Sequence, residues 1–103
     1  MIDEKFIRER ISDLREKKGV SEYKMSLDLG HSKGYIQSIS SGRAMPSMSE
    51  FLAICEYLEI SPKSFFDERI KYPDLVQKIQ DASLKMNEDN LNVILPLMEQ
   101  LGK

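Results

Sequence analysis

The sequence contains one cysteine, one histidine and no tryptophan in 103 residues. A single cysteine, Cys55, cannot form an internal disulfide and fits a reducing compartment. Cys55 and His31 are distant in sequence and have no convincing acidic partner, so they do not suggest a Cys–His catalytic site or a zinc site. A glycine-rich phosphate loop is also missing. We therefore expect no catalytic residues, no metal and no cofactor, and no enzymatic activity.

Long apolar runs and alternating patterns are missing as well. The longest stretch without a polar residue, Val93 to Met98, is far shorter than the roughly 20 residues of a membrane span. The N-terminal segment is charged from residue 3, so we do not expect it to act as a secretion signal. Apolar and polar residues do not alternate with a period of two, so the sequence gives no indication of a β-sheet. These absences predict an all-α, cytoplasmic protein that is not bound to a membrane.

Acidic residues are absent from Leu29 to Ser49, although the chain contains 17 of them. The formal charges in this stretch are Lys33 and Arg43, with His31 beside them. The net charge of −2 comes from residues 67–103, because residues 1–66 carry equal numbers of acidic and basic side chains. An acid-free helical face suits a phosphate polyanion. Its affinity would depend on hydroxyls, amides and helix N-termini as well as on full charges.

Helical spacing of apolar residues predicts five helices before residue 67. Their predicted boundaries are about Asp3 to Lys18 with a stop at Gly19, a cap at Ser21 with an end near Leu29-Gly30, a cap at Ser32 with an end near Ser40, a capping box at Ser47–Glu50 with an end at Leu58, and a start at Ser61-Pro62. The inward face of the fourth helix is predicted to comprise Phe51, Leu52, Ile54, Cys55 and Leu58. Phe65 and Phe66 would close the bottom of the core, and Cys55 would be buried and inert.

Residues 7–66 resemble the lambda-repressor-like helix-turn-helix domain of the Cro/repressor (XRE) type, found in phage and bacterial regulators. The resemblance is carried by Ile7, Ile11, Leu14-Arg15, Gly19, Ser21, Met25-Ser26, Leu29-Gly30, Ser32, Ile36, Ile39, Gly42, Pro46-Ser47, Leu58, Ile60-Ser61 and Phe65-Phe66. It implies a five-helix DNA-binding domain over residues 1–68 and a C-terminal helical extension over residues 69–103. Ser26 takes the place of a small residue where two helices cross, and Gly30 takes a left-handed turn position.

The same resemblance implies that the third helix lies in the major groove of double-stranded DNA. The predicted DNA-binding residues are Ser32, Lys33, Gly34, Tyr35, Gln37, Ser38, Ser41 and Arg43. Lys33 could donate to guanine O6 or N7, and Gln37 could pair with adenine. Arg43 and the backbone amides near Ala44 would hold phosphate. For Tyr35 two interpretations stay open: its hydroxyl contacts a sugar-phosphate, or its ring covers the end of the first helix.

Four positions depart from the family pattern. Glu22 stands where a glutamine often contacts phosphate, and Ser40 replaces a frequent glutamate. His31 replaces an aliphatic turn residue, and we expect it to be half-packed or turned to solvent. Gly34 falls inside the predicted third helix, where glycine costs about 1 kcal/mol relative to alanine. Gly34 either permits close approach to the duplex or is a substitution without function that the domain tolerates.

The C-terminal extension predicts one or two amphipathic helices. A helix start at Tyr72-Pro73-Asp74 precedes a stripe formed by Leu75, Val76, Ile79, Ala82 and Met86. Asn87 then caps a segment whose apolar residues are Leu91, Val93, Ile94, Leu95, Leu97, Met98 and Leu101, with Pro96 expected to kink or loosen it. These stripes either pack on the N-terminal domain or form a two-fold homodimer through residues 73–101. We favour the dimer, because related regulators bind paired half-sites.

Two functions are consistent with these patterns. The first is a sequence-specific, DNA-binding transcriptional regulator, most often a repressor in this family, that acts as a dimer. The second is an antitoxin-like or adaptor protein whose tail binds a protein partner while DNA binding is weak or lost. Glu22 and the low net charge favour the second function. The acid-free stretch and the intact Gly30, Ile36 and Ile39 favour the first.

Overall fold

The computed structural model describes residues 2–69 and 71–103, so Met1 and Ile70 lie outside the described residues. The described residues form seven helices and no strand, as the sequence predicts. The helices are α1 (Glu4–Lys18), α2 (Glu22–Asp28), α3 (Tyr35–Ser40), α4 (Met48–Tyr57), α5 (Pro62–Phe65), α6 (Pro73–Leu84) and α7 (Glu88–Leu101). The chain is elongated, because its radius of gyration of 16.2 Å exceeds the roughly 13 Å of a compact chain of this length.

Side-chain caps set most helix starts where the sequence predicts them. Asp3, Ser21, Ser61 and Asn87 each accept a hydrogen bond from the backbone amide three residues on. Ser47 forms a complete capping box with Glu50, whose Oε1 accepts from the Ser47 amide at 2.8 Å. These bonds satisfy amides that have no partner inside their own helix. These five helices therefore begin for a local chemical reason that is readable in the sequence.

The core of the described residues is apolar and is formed by the part of the chain from α1 to α5. Its members are Ile11, Leu14, Met25, Ile36, Ile39, Phe51, Ile54, Cys55, Leu58, Ile60 and Phe65. Phe65 is fully buried, and Phe66 packs against the core beside it. The prediction that Leu52 faces inwards is wrong, since half of its surface is exposed. It lies about 100° around the helix from Phe51, beyond the edge of the buried stripe.

Cys55 is buried, as predicted, with 2% of its surface exposed. Burial among apolar side chains raises the pKa of its thiol to about 11, because the thiolate would be poorly solvated there. The thiolate is the nucleophilic form of cysteine. In the folded chain this thiol is therefore unreactive near neutral pH.

Arg10 connects α1 to the end of α5. Its guanidinium donates to the carbonyl oxygens of Phe65 at 3.1 Å, Ser64 at 3.2 Å and Asp67 at 3.0 Å. It also lies 5.5 Å from the centroid of the Phe6 ring. These carbonyls lie at the C-terminal end of a four-residue helix, where most carbonyls have no partner within the helix. The Ser64 carbonyl also accepts from the Asp67 amide at 3.2 Å. Arg10 therefore fixes α5, and with it Phe65, against the first helix.

The polar side of α6 packs on the start of α5 and on the end of α1. Oε1 of Gln77 accepts from the Ser61 amide at 3.2 Å, and Lys17 pairs with Asp74 at 2.9 Å. None of the residues of α7 is buried. In the structure, therefore, the two apolar stripes do not both pack on the N-terminal domain, which was one of the two alternatives predicted from the sequence. The segment around Pro96 stays helical from Glu88 to Leu101.

Candidate nucleic-acid interface

The turn between α2 and α3 has the backbone geometry that the sequence predicts. Gly30 has φ +79°, a left-handed conformation that costs glycine little and other residues more. Ser26 is completely buried where the two helices meet. Its hydroxyl accepts from the Ile36 amide at 3.0 Å and donates to the Glu22 carbonyl at 2.7 Å. Ser26 therefore serves both as a small crossing residue and as a hydrogen-bonding link between the helices.

The third helix starts later than predicted. Its N-cap is Gly34, no side chain caps it, and the predicted cap at Ser32 is wrong. Instead, the Ser32 carbonyl accepts from the Tyr35 amide at 3.1 Å, which closes a tight turn before the helix. Glycine at position 34 has a low helix propensity, which disfavours an earlier start of the helix. The Ile36 amide does not need a cap from Ser32, because the hydroxyl of Ser26 already accepts its hydrogen bond. Lys33 and Gly34 thus lie in an exposed turn that leads into α3, and not inside a helix.

The outer side of α3 carries polar groups that are joined to one another. Ile36 and Ile39 anchor the helix on the core, and Gln37 is exposed on the opposite side. The guanidinium of Arg43 donates to Oε1 of Gln37, which orients the amide. The Ser38 hydroxyl donates to the Tyr35 carbonyl at 2.6 Å. Its oxygen still has acceptor capacity.

The hydroxyls of Ser40 and Ser41 are also occupied as donors. The Ser41 hydroxyl donates to the carbonyl of Ser38 at 3.2 Å. The Ser40 hydroxyl has one proton and two acceptors within reach, Oε2 of Glu22 at 2.6 Å and the Gln37 carbonyl at 3.1 Å. Two departures from the family pattern, Glu22 and Ser40, are thus direct partners across α2 and α3. The pairing places a carboxylate at the edge of a face whose own segment contains no acid.

His31, Tyr35 and Glu50 form a cluster beside the turn. The rings of His31 and Tyr35 stack with centroids 3.7 Å apart, and Nε2 of His31 lies 3.6 Å from Oε2 of Glu50. The buried Tyr35 hydroxyl has no hydrogen bond of standard geometry. Burial and then the Glu50 carboxylate raise the pKa of Tyr35 to about 12. Contact of this hydroxyl with a sugar-phosphate does not fit its position, because a phosphate cannot reach a buried oxygen.

The loop after α3 offers fewer free amides than expected. The amides of Arg43 and Ala44 both donate to the Ser38 carbonyl at 3.0 Å, so neither points to an incoming phosphate. The guanidinium of Arg8 approaches the same corner, 3.7 Å from where a Cβ would lie on Gly42. Arg8 is not among the DNA-binding residues predicted from the sequence. Its position next to the Ile7 stripe, at the edge of the buried face of α1, is the signal that could have indicated it.

The comparison with protein families decides the classification. The family model described as a helix-turn-helix domain matches residues 9–69, which is more than half of the chain. The chain belongs to the helix-turn-helix family. Its type is XRE/Cro-like, as the sequence resemblance implied. Curated proteins and solved structures gave no match to the chain.

Family membership makes the helix-turn-helix unit a DNA-binding module of a kind that is typically not enzymatic. None of the helices in the described residues is long and apolar enough to cross a membrane. Within those residues there is also no group of three or more His, Cys, Asp or Glu side chains arranged to hold a metal ion. The exposed turn at Lys33 and the outer side of α3 are therefore the candidate interface.

Proposed function

We propose that this helix-turn-helix protein is a sequence-specific, double-stranded DNA-binding transcriptional repressor that acts in the cytoplasm as a homodimer. Residues 1–68 would form the DNA-binding domain and residues 69–103 the dimerising extension. The observation that carries the proposal is the exposed turn of Lys33 and Gly34 leading into the outward-facing side of α3. This is the part that a helix-turn-helix protein places against base edges in the major groove.

Lys33 would donate to guanine O6 or N7 from the entrance of α3. Nothing in the fold of this turn requires glycine at position 34, because its φ is −96° and a Cβ there would meet open space. The missing side chain would instead let the DNA duplex approach the backbone of Gly34 closely. The remaining contacts would come from Ser32, Gln37, Ser38, Ser41 and Arg43.

Arg43 and Gln37 would act together. Since the Arg43 guanidinium occupies Oε1 of Gln37, the amide NH₂ of Gln37 is left to donate to a base or a phosphate. Because Oε1 has a second lone pair, Gln37 would still be able to pair with adenine through both amide atoms while Arg43 holds it in place. Arg8, at the same corner, is a further candidate for phosphate contact.

The experiment is selection of bound duplexes from a random double-stranded pool, followed by sequencing. A dimeric regulator is expected to enrich an inverted repeat whose half-sites lie about one helical turn apart, or a multiple of it. The double variant Lys33→Glu with Gln37→Ala should abolish the enrichment without changing the circular dichroism spectrum. Absence of enrichment with the unchanged protein, even at low salt, would contradict the proposal.

The alternative is an antitoxin-like or adaptor protein with weak or lost DNA binding. One observation favours it: the Glu22 carboxylate lies 2.6 Å from the Ser40 hydroxyl, at the edge of the surface proposed to face the phosphates. Like charge near a phosphate weakens binding. The same pool selection separates the two functions, because the alternative predicts no enriched sequence.

A further inference from the structure

His31 lies in the turn that leads into α3, two positions before Lys33. Its backbone amide donates to the Ser26 carbonyl at 3.0 Å, which fixes the start of the turn to α2. At the other end, the Tyr35 amide donates to the Ser32 carbonyl at 3.1 Å. Lys33 is exposed between these two bonds. The side chain of His31 is therefore well placed to influence the position of Lys33.

The imidazole of His31 contacts side chains of two helices. The ring of Tyr35, on α3, stacks on it with centroids 3.7 Å apart and planes 8° from parallel. Its Nε2 faces Oε2 of Glu50, on α4, at 3.6 Å. The side chains of His31 and Glu50 are 32% and 33% exposed, so water only partly screens the contact. His31 thus connects the turn to α4.

The contact between His31 and Glu50 depends on charge. At 3.6 Å it is too long for a hydrogen bond, so a neutral imidazole gains little from it. A protonated imidazole is attracted by the carboxylate and also by the face of the Tyr35 ring. Oε1 of Glu50 accepts from the Ser47 amide at 2.8 Å, which holds the carboxylate in place. The connection between the turn and α4 therefore strengthens when His31 gains a proton.

The groups that face His31 keep their charge near neutral pH. Imidazoles ordinarily change charge between about pH 5 and 8, and His31 is the one histidine of the chain. Burial raises the pKa of Tyr35 to about 12, so its ring stays neutral in this range. The pKa of Glu50 lies below its ordinary value, chiefly because the Ser47 amide donates to it, so the carboxylate stays ionised.

The neighbouring charged groups are Lys33 in the turn and Asp28 at the end of α2. Asp28 pairs with Lys24 at 3.1 Å and accepts from the Tyr57 hydroxyl at 2.7 Å. The Tyr57 bond is the main reason that the pKa of Asp28 is lowered, so this carboxylate also stays ionised. We therefore assign a change of charge at this turn near neutral pH to His31.

We propose that His31 is a positioning residue for DNA recognition, which in its protonated form binds Glu50 and holds the turn at Lys33 against α4. The proposal rests on the proposed function, in which Lys33 contacts a base. After deprotonation the turn is held by its backbone bonds and by the ring stack, and Lys33 occupies a wider range of positions. Discrimination between DNA sequences should therefore rise as the pH falls through the range in which imidazoles titrate.

The first experiment measures affinities for the enriched duplex and for a scrambled duplex by fluorescence anisotropy, at about pH 5.5 and 7.5 and one salt concentration. The ratio of the two affinities should be about two- to fivefold higher at the lower pH, which is the scale of a partly exposed ion pair. His31→Gln cannot be protonated and should give the same ratio at both pH values. A ratio independent of pH in the unchanged protein would overturn the proposal.

Glu50→Gln separates positioning from a direct contact of His31 with phosphate. Glutamine also suits this position of a capping box, but it lacks the charge that attracts the imidazolium. The affinity ratio of this variant should be independent of pH. Glu56→Gln removes the same charge from an exposed position of the same helix and should keep the pH dependence. Circular dichroism at both pH values checks the fold of each variant.

A direct phosphate contact gives a different result. Phosphate contacts carry no sequence information, so protonation of His31 would strengthen binding to both duplexes equally and would not need Glu50. A pH-dependent ratio that persists in Glu50→Gln, or equal gains for both duplexes, would therefore overturn the positioning role.

A measurement on the free protein separates this proposal from the proposed function. Nitrogen-15 relaxation gives the backbone order parameters of Lys33 and Gly34. These should be higher at the lower pH in the unchanged protein, and equal at both pH values in His31→Gln and Glu50→Gln. Order parameters that do not change with pH would overturn the positioning role. If the pool selection yields no enriched duplex, the proposed function fails, and the order parameters still decide whether His31 holds the turn.

Discussion

The Ile36 amide donates to the hydroxyl of Ser26 across the crossing of α2 and α3, at 3.0 Å. This bond replaces the side-chain cap that α3 does not have. A buried amide without a partner is costly, so the position and the start of α3 depend on one hydroxyl. In this chain the crossing residue is therefore more than a small space-filler.

Ser26→Ala should lower the free energy of unfolding by about 1–3 kcal/mol, because it leaves the buried Ile36 amide without an acceptor. Urea denaturation monitored by circular dichroism measures this. Ser41→Ala is the control, since Ser41 is exposed and its hydroxyl bonds a carbonyl of its own helix. Its effect should stay within about 0.5 kcal/mol. Equal effects of the two substitutions would refute the bridging role of Ser26.

Glu22→Gln should strengthen DNA binding about two- to fivefold, because it removes a negative charge beside α3. The amide oxygen of glutamine can still accept from Ser40, so the contact between α2 and α3 is retained. Fluorescence anisotropy with an enriched duplex gives the ratio of dissociation constants. Glu99→Gln, on α7, makes the same change of formal charge elsewhere. If the DNA affinity of both variants rose equally, the effect would reflect net charge and not the position of Glu22.

Stability should fall in acid partly through Glu50. Its pKa lies below the ordinary 4.5, chiefly because the Ser47 amide donates to the carboxylate. A lowered pKa in the folded state means that the stabilisation is present above pH 4.5 and is lost as the pH falls through the folded value. Thermal melts of the unchanged protein and of Glu50→Gln should therefore differ at neutral pH and converge as the pH falls through the lowered pKa of the folded state. A difference in Tm that is constant with pH would rule out this linkage.

Local patterns in the sequence predicted the helix-turn-helix frame well. The caps at Ser21 and Ser47 and the left-handed Gly30 depend on chemistry within a few residues, which the sequence displays directly. The family resemblance implied the type, and the family model confirms it. The predicted cap at Ser32 failed because the acceptor for α3 comes from Ser26, ten residues from Ile36.

Contacts between distant side chains were the part that could not be predicted. In the sequence Glu22 and Ser40 are two separate departures from the family pattern, whereas in the structure their side chains are joined at 2.6 Å across two helices. The pKa of the Tyr35 hydroxyl is affected by Glu50 of α4, and α6 attaches to the domain through Gln77, a polar residue. Helical periodicity identifies which side of a helix is apolar but not which element covers it.

The proposed function requires that Lys33, in the turn before α3, contacts a base and so reads the DNA sequence. The most direct test compares the affinity for the enriched duplex with that for a scrambled duplex, at one fixed salt concentration, in the unchanged protein, Lys33→Ala and Lys63→Ala. Loss of a base contact should cost Lys33→Ala about 1–3 kcal/mol of discrimination, which is roughly a 5- to 150-fold fall in the affinity ratio. Lys63→Ala, with the same loss of charge on α5, should keep the ratio. An unchanged ratio in Lys33→Ala would contradict the account.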